Sequence, residues 1–558
     1  MNLWRRRTIF ISLTLFLIVV GSQFALAKDA FYPLEKVEPG MKGFGYSVFS
    51  GTKIERFNAE VLAVVEGDTW SDKLILVKLS GRIIEKSGGL AAGMSGSPIY
   101  IKKRLVGAIS YGFENADSYL ALVTPIENML KMLPASEKKS LAAGRPLILK
   151  DGLIFKPVIT PVVISGAGRR GFESFKKALE PYNFKPVFFF GSKKKQFDSG
   201  FVTLKPGSAV AVQMVSGDYQ VAAIGTVTLV EDDYFLAFGH SFTNRGKVDY
   251  LAFQAHILHT VKSPVMSFKL GLPLQIAGRI IEDRQPGILG KFGEYPSLIP
   301  VAVTVRDLDR DLERGFSFQV IQNEQLYRDL IISGVTDAID QTIDRVGSGT
   351  AVVRLQIELE NRESIIRENY FYGKDIAVSC LKDLRDLLDL LAANEFLQLT
   401  VKSVKVNVDV QEKQASARII KIETDRSKVK PGSVVKVQVV ARTFRGQNLT
   451  IPFEIKLPSN IEPGKLTISA HGTANVFLEA ESEGRKPDTS KTGSKKAASL
   501  DELINDFLNE TKNNQVVLEY QLNEDSGSDD RNLKKEINQK VDTTYCIHGE
   551  AQFDLEII

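Results

Sequence analysis

The sequence predicts a mainly β chain interrupted by one helical segment, and three observations carry that reading. Compact apolar runs such as Lys73 to Leu79 have the length and composition of strands. Val435, Val437 and Val439 alternate with Lys436 and Gln438, the period of a half-buried strand. Turn signals such as Gly217-Asp218, Pro431-Gly432 and Glu462-Pro463-Gly464 recur between the runs. The exception lies at Asn323 to Asp344 and Leu381 to Leu391, where apolar residues step by three and four, as on the packing face of a helix.

With 558 residues the chain exceeds one core and divides into several domains. Hydrophobic content of 44% and charged content of 25% exclude a disordered chain and a polytopic membrane protein. A formal charge of +4 lacks the concentrated basic face of a nucleic-acid binder, and Lys193-Lys194-Lys195 reads as a solvated loop. Arg5, Arg6 and Arg7, the apolar run Ile9 to Val20 and Ala25-Leu26-Ala27 form a signal peptide over 1–27, so export to the periplasm, the cell envelope or the medium is expected. An uncleaved N-terminal anchor is the alternative, and no other membrane contact is expected. The two cysteines, Cys380 and Cys546, either pair in an oxidising compartment or remain buried thiols.

In chain order, residues 28–135 form a β domain. Met41 to Val64 and Lys73 to Leu79 supply strands, and Pro98 to Ser110 forms a hairpin about Lys102-Lys103-Arg104. Thr124-Pro125-Ile126-Glu127 opens a closing helix with a capping box. Residues 136–310 comprise a connector and a second β domain. It includes a short helix at Gly171 to Leu179, a buried strand at Pro186 to Phe190, a hairpin about Glu231-Asp232-Asp233, and irregular strands to about Val305. Residues 311–397 are the α/β segment, and 398–480 form a β-sandwich of immunoglobulin-like kind. Residues 481–558 hold a flexible linker to Ala498, a helix at Leu500 to Leu508, a strand at Val516 to Leu522 and a charged loop from Asn523 to Lys540.

The first domain carries the most specific motif, Gly93-Met94-Ser95-Gly96-Ser97-Pro98. Its glycines permit backbone bends that leave a serine hydroxyl clear while amides converge on one point. Acyl transfer needs that arrangement, with Gly93 and Ser95 amides as an oxyanion hole. Serine also needs a base. Of five histidines, His471 and His548 lie in the C-terminal region without a polar frame. His256 and His259 are spaced to share a helical face, but with no acid or thiol beside them they read as structural, and no metal or other cofactor is expected. His240, in Ala237-Phe238-Gly239-His240-Ser241, ends a strand at a β-barrel rim where a substrate can reach it.

Gly88-Gly89, the serine motif and Val106-Gly107-Ala108 together resemble the nucleophile region of the SpoIVB-type serine peptidases, the stage IV sporulation signalling proteases. Ile224-Gly225-Thr226-Val227-Thr228 with Phe238-Gly239-His240, followed by Gly287 to Val301, resembles the histidine block of that family, here in exchanged order. The resemblance implies a chymotrypsin-like double β-barrel, with Ser95 as nucleophile, His240 as general base and then acid, and the Gly93 and Ser95 amides as oxyanion hole. Ser80 stands where the family carries its aspartate, leaving Asp72, Asp249, Ser80, a backbone carbonyl or water to orient the imidazole. The expected function is an exported serine endopeptidase acting on a protein or peptide. The alternative is a non-catalytic envelope binding or scaffold protein that retains the fold.

Overall fold

The computed structural model describes residues 30–66, 73–113, 117–134, 147–148, 154–189, 200–474, 498–524 and 533–558. The expected signal peptide, Asp72, the run Lys193 to Lys195, the connector at 135–146 and nearly all of the 481–498 linker lie outside these residues. The chain divides into two compact units, one of residues 1–298 with 319–326 and one of residues 299–318 with 327–558.

The first unit contains two closed antiparallel rings. Ring one is built from β1 (Lys42–Val48), β2 (Ile54–Glu66), β3 (Lys73–Ser80), β4 (Pro98–Ile101), β5 (Arg104–Phe113) and β6 (Leu120–Pro125). Pairings run β1–β2–β3–β6–β5–β4 and return to β1, so all six strands have two neighbours. Closure removes the unpaired edges that an open sheet would expose. Inward residues including Phe57, Ile75, Val77, Leu79, Ile99 and Ile109 fill the ring.

Ring two uses β7 (Ala209–Gly217), β8 (Gln220–Glu231), β9 (Tyr234–Ala237), β10 (Gly246–Val261), β11 (Ser267–Arg284) and β12 (Gly287–Phe292). Its order β7–β8–β9–β12–β11–β10 likewise closes on β7. The short helix α2 (Ile126–Leu130) packs with Met132, Leu105, Ala108, Leu236 and Leu289 in an apolar cluster drawn from both rings. A mainly β architecture with barrel-like sheets is therefore present, consistent with a peptidase β-barrel fold.

Several local expectations change. The strands after Phe242 are long rather than irregular: four register shifts between β10 and β11 invert the side-chain phase and blur the period of two. An additional helix, α1 (Arg82–Ser87), precedes the glycine pair and ends at Gly88 in the left-handed region. Thr124 does not cap α2; its hydroxyl donates to the Gly239 carbonyl at 2.7 Å instead. The strand Phe184–Phe189 is half-buried, and the helix before it spans Arg169–Leu179.

In the second unit, helices at Tyr327–Ile343 and Lys382–Ala393 match the helical spacing, with Leu384, Leu387, Leu388 and Leu391 buried. Arg367 donates to the Asp383 carboxylate at 2.6 Å and to the Phe507 carbonyl at 2.9 Å, all within a buried junction. Farther along, a four-stranded sheet and a five-stranded sheet share one apolar cluster that includes Val435, Val437, Val439, Ile468 and Leu518. This pair of sheets is as far as the immunoglobulin-like expectation carries. The charged stretch read as a loop instead contains a strand, Leu533–Asp542, paired with Gln515–Glu524 at the sheet edge. Edge strands tolerate charge, so their apolar alternation is weak. Cys380 and Cys546 are both free buried thiols, and burial pushes each up to about 12.

Candidate active site

The serine loop is shaped by two glycines that no other residue type could replace easily. Gly93 and Gly96 have φ of 93° and 90°, in the left-handed region that side chains disfavour. A Cβ on Gly96 would also lie 1.9 Å from the Thr226 carbonyl oxygen and 2.4 Å from the Phe238 nitrogen. The glycine therefore lets the ring-one loop press directly on the backbone of ring two.

Three hydrogen bonds fasten it there. Thr226 N–H donates to the Ser95 carbonyl at 2.9 Å, Thr226 Oγ1 to the Gly93 carbonyl at 2.9 Å, and Thr228 Oγ1 to the Gly96 carbonyl at 2.7 Å. Within the loop, Ser97 N–H donates to the Met94 carbonyl at 2.9 Å. The Ser95 N–H lies in the same planar peptide as that carbonyl and points the opposite way. It has no acceptor among the described residues, and its direction is fixed in advance.

The histidine loop begins at the same residue, Thr226. Phe238 N–H donates to the Thr226 carbonyl at 3.2 Å, and Phe238 and Gly239 follow with φ of 69° and 66°. A positive φ on an aromatic residue is uncommon and marks a turn held by its surroundings. Thr124, bonded to the Gly239 carbonyl, supplies part of that hold. His240 Nδ1 lies 2.7 Å from the Ser241 carbonyl oxygen. A carbonyl can only accept, so Nδ1 carries the proton and Nε2 presents a lone pair. Burial pushes the imidazole down to about 4, partly opposed by the Ser241 hydrogen bond, and leaves it neutral at pH 7.

Ser95 and His240 therefore occupy loops that are both hydrogen-bonded to the main chain of one residue, Thr226. Ser95 is 0% and His240 2% exposed, and among the described residues neither Ser95 Oγ nor His240 Nε2 has a hydrogen-bond partner, including each other. Buried polar atoms are normally satisfied, so two orphans in neighbouring loops are an exception that asks for a chemical reason.

The candidates for a third group separate. Ser80 is exposed at the end of β3, opposite Asn58. Asp249 accepts from Arg279 at 3.0 Å and from Ser297 N–H at 2.7 Å, a partly exposed ion pair that does not include His240. The group at His240 Nδ1 is the Ser241 carbonyl. His256 and His259 fall on strand β10 rather than a helix, the first half-buried and the second exposed, so their spacing does not put them on one helical face. His471 lies on Gly464–His471 and His548 on Cys546–His548.

Beside these loops, two buried charged residues escaped the sequence reading. Asp283 receives Phe242 N–H, Thr243 N–H, Thr243 Oγ1 and Asn244 N–H, and so secures the chain immediately after His240. Burial pushes its carboxyl up, against those donors. In sequence it stands beside Arg284-Gln285-Pro286-Gly287 and looks like an ordinary turn acid. Lys269 is 0% exposed; its Nζ donates to Ser47 Oγ at 2.8 Å and Thr226 Oγ1 at 3.3 Å. Burial pushes it down to about 7. Nothing about Phe268-Lys269-Leu270 distinguishes it from a strand lysine facing water.

With this geometry in place, comparison with known protein families is informative. A model of the SpoIVB peptidase S55 family matches residues 34–130, the stretch that holds ring one and Ser95. The match supports a serine peptidase of the SpoIVB type, while His240 lies beyond the matched residues. No curated protein and no solved structure matches the chain.

Proposed function

We propose that this chain, with a SpoIVB-type peptidase segment over residues 34–130, is an exported serine endopeptidase with Ser95 as nucleophile and His240 as general base. The observation that carries the assignment is the pair of unpartnered buried atoms, Ser95 Oγ and His240 Nε2, in loops fastened to the same residue.

In the reaction, Ser95 Oγ bonds to the scissile carbonyl carbon as its proton passes to His240 Nε2. The oxyanion is met by Ser95 N–H and Gly93 N–H. His240 returns the proton to the leaving amine as the C–N bond breaks, and the acyl-enzyme remains. Water, deprotonated by the same imidazole, releases the acid and restores Ser95. The Ser241 carbonyl keeps the productive tautomer but supplies no full negative charge, so a lower rate than with a carboxylate is expected. Because both groups are covered, substrate binding must part the overlying residues and rotate Ser95 toward the imidazole. The N-terminal 27 residues support export.

One observation favours a second reading. The absence of a Ser95–His240 hydrogen bond, with both residues buried, also suits a scaffold that retains the fold and uses its C-terminal sheets for partner contact. Fluorophosphonate labelling of the full chain separates the two. The enzyme labels and Ser95→Ala does not; equal failure of wild type and variant favours the scaffold.

A further inference from the structure

A buried amine lies behind the serine loop, and the reaction scheme leaves it unused. Lys269 reaches that position from β11, with its aliphatic stem against Gly93: a Cβ on this glycine would lie 3.2 to 3.4 Å from the lysine stem. Its Nζ joins Ser47 of β1 to Thr226 of β8. Both hydroxyls lead onward to the loop. Thr226 Oγ1 donates to the Gly93 carbonyl, while Ser97 Oγ donates to Ser47 Oγ at 2.9 Å. Ser97 is the residue whose N–H fixes the Met94 carbonyl, and hence the direction of Ser95 N–H.

We propose that Lys269 is a positioning residue for the Ser95 loop, holding its proposed oxyanion donors through Ser47–Ser97 on one side and Thr226–Gly93 on the other. This rests on the reading of Ser95 as nucleophile. Around the ammonium stand Ser47, Thr226 and the ring of Phe49, 5.6 Å away; no acid is paired with it among the described residues. A buried cation without a counter-ion burdens the fold, and the two hydroxyls only partly offset its lost hydration. Its depressed basicity, caused by burial alone, is the expected sign of that burden. Replacing such a group with an apolar isostere ordinarily leaves stability equal or greater. A structural lysine and a positioning lysine therefore predict different variants.

The test compares full-length wild type, Lys269→Met and Thr226→Val by three readouts: fluorophosphonate labelling rate against pH, melting temperature, and amide exchange at Gly96 and Ser97. Lys269→Met is expected to label at least about tenfold more slowly, since small displacements of reacting groups carry effects of that size. It should melt no lower than wild type at pH 6 and exchange faster at Gly96 and Ser97 than in the strands of either ring. Wild type should label fastest between the His240 and Lys269 titrations and more slowly above about pH 7, where the charge-assisted hold weakens. That descending limb should vanish in Lys269→Met and persist, at reduced rate, in Thr226→Val. Unchanged exchange at Gly96 and Ser97 in Lys269→Met overturns the proposal, as does a labelling loss accompanied by a lower melting temperature and faster exchange throughout. If wild type does not label, the peptidase reading fails, and exchange and melting alone decide whether Lys269 positions the loop.

Discussion

In the proposed reaction His240 is the base; its buried environment disfavours the protonated form, and this makes its titration a direct probe of the site. Burial holds the imidazole near 4, below the usual histidine range. The unfolded chain therefore binds the proton between about pH 6.5 and 4 while the folded chain does not, so stability is lost as pH falls through that window. The full contribution is about 3 kcal/mol. A His240→Gln variant should flatten the stability curve between pH 6.5 and 4 in denaturant titrations. Labelling of wild type should fall with an inflection near pH 4, and an inflection near 6.5 would mean a solvated histidine. At Gly96 the prediction is steric. Gly96→Ala forces a Cβ onto the Thr226 carbonyl and strains a φ of 90°. The variant should lose about 2–4 kcal/mol in chemical denaturation and label poorly.

At the scale of elements, the loop after His240 depends on one buried carboxylate. Asp283 accepts three backbone N–H groups and one hydroxyl. Asp283→Ala strands those donors and should cost about 3 kcal/mol, measured by denaturant midpoint, with a sharp fall in labelling. Asp283→Asn, which keeps the size and one acceptor oxygen, should retain more of both. The serine loop was legible in the sequence because its chemistry is local: two glycines with required positive φ flank Ser95 within four residues. The hairpin that follows was legible for the same reason, and Lys102 and Lys103 do adopt the left-handed turn conformation. Asp283 and Lys269 were not, since each acts on residues 39 or more positions away and sits in an unremarkable strand context. Thr124 misled for a related reason. Its local pattern fits a helix cap, but the tertiary acceptor on Gly239 takes the hydroxyl.

For the whole molecule, the period-two runs and turn signals carried the mainly β class, whereas closure of the rings was beyond them. Ring one closes through β4–β1 and ring two through β10–β7, pairings between strands far apart in sequence. Four register shifts in β10 and β11 further concealed the longest strands. The family match reaches only residues 34–130, so the joining of Ser95 to ring two is a property of the fold rather than of the matched stretch. Neither ring alone holds both candidate groups, and the hydrogen bonds from Thr226 and Thr228 fasten the serine loop of ring one to ring two. The buried thiols bear on the whole chain too. Thiol titration after denaturation without reductant should count both Cys380 and Cys546, and reductant should leave the melting temperature unchanged; a count of none would indicate the disulfide.

In the proposed reaction one serine among several in this region is the nucleophile, activated by His240. Ser95, Ser97 and Ser47 are all fully buried, but only Ser95 has an unpartnered hydroxyl. Mapping the fluorophosphonate adduct by peptide mass spectrometry tests this most directly. A single adduct on Ser95 is expected in the wild-type protein, with its rate greatly reduced in His240→Gln. An adduct on Ser97 or Ser47, or modification of Ser95 at the same rate without His240, would contradict it.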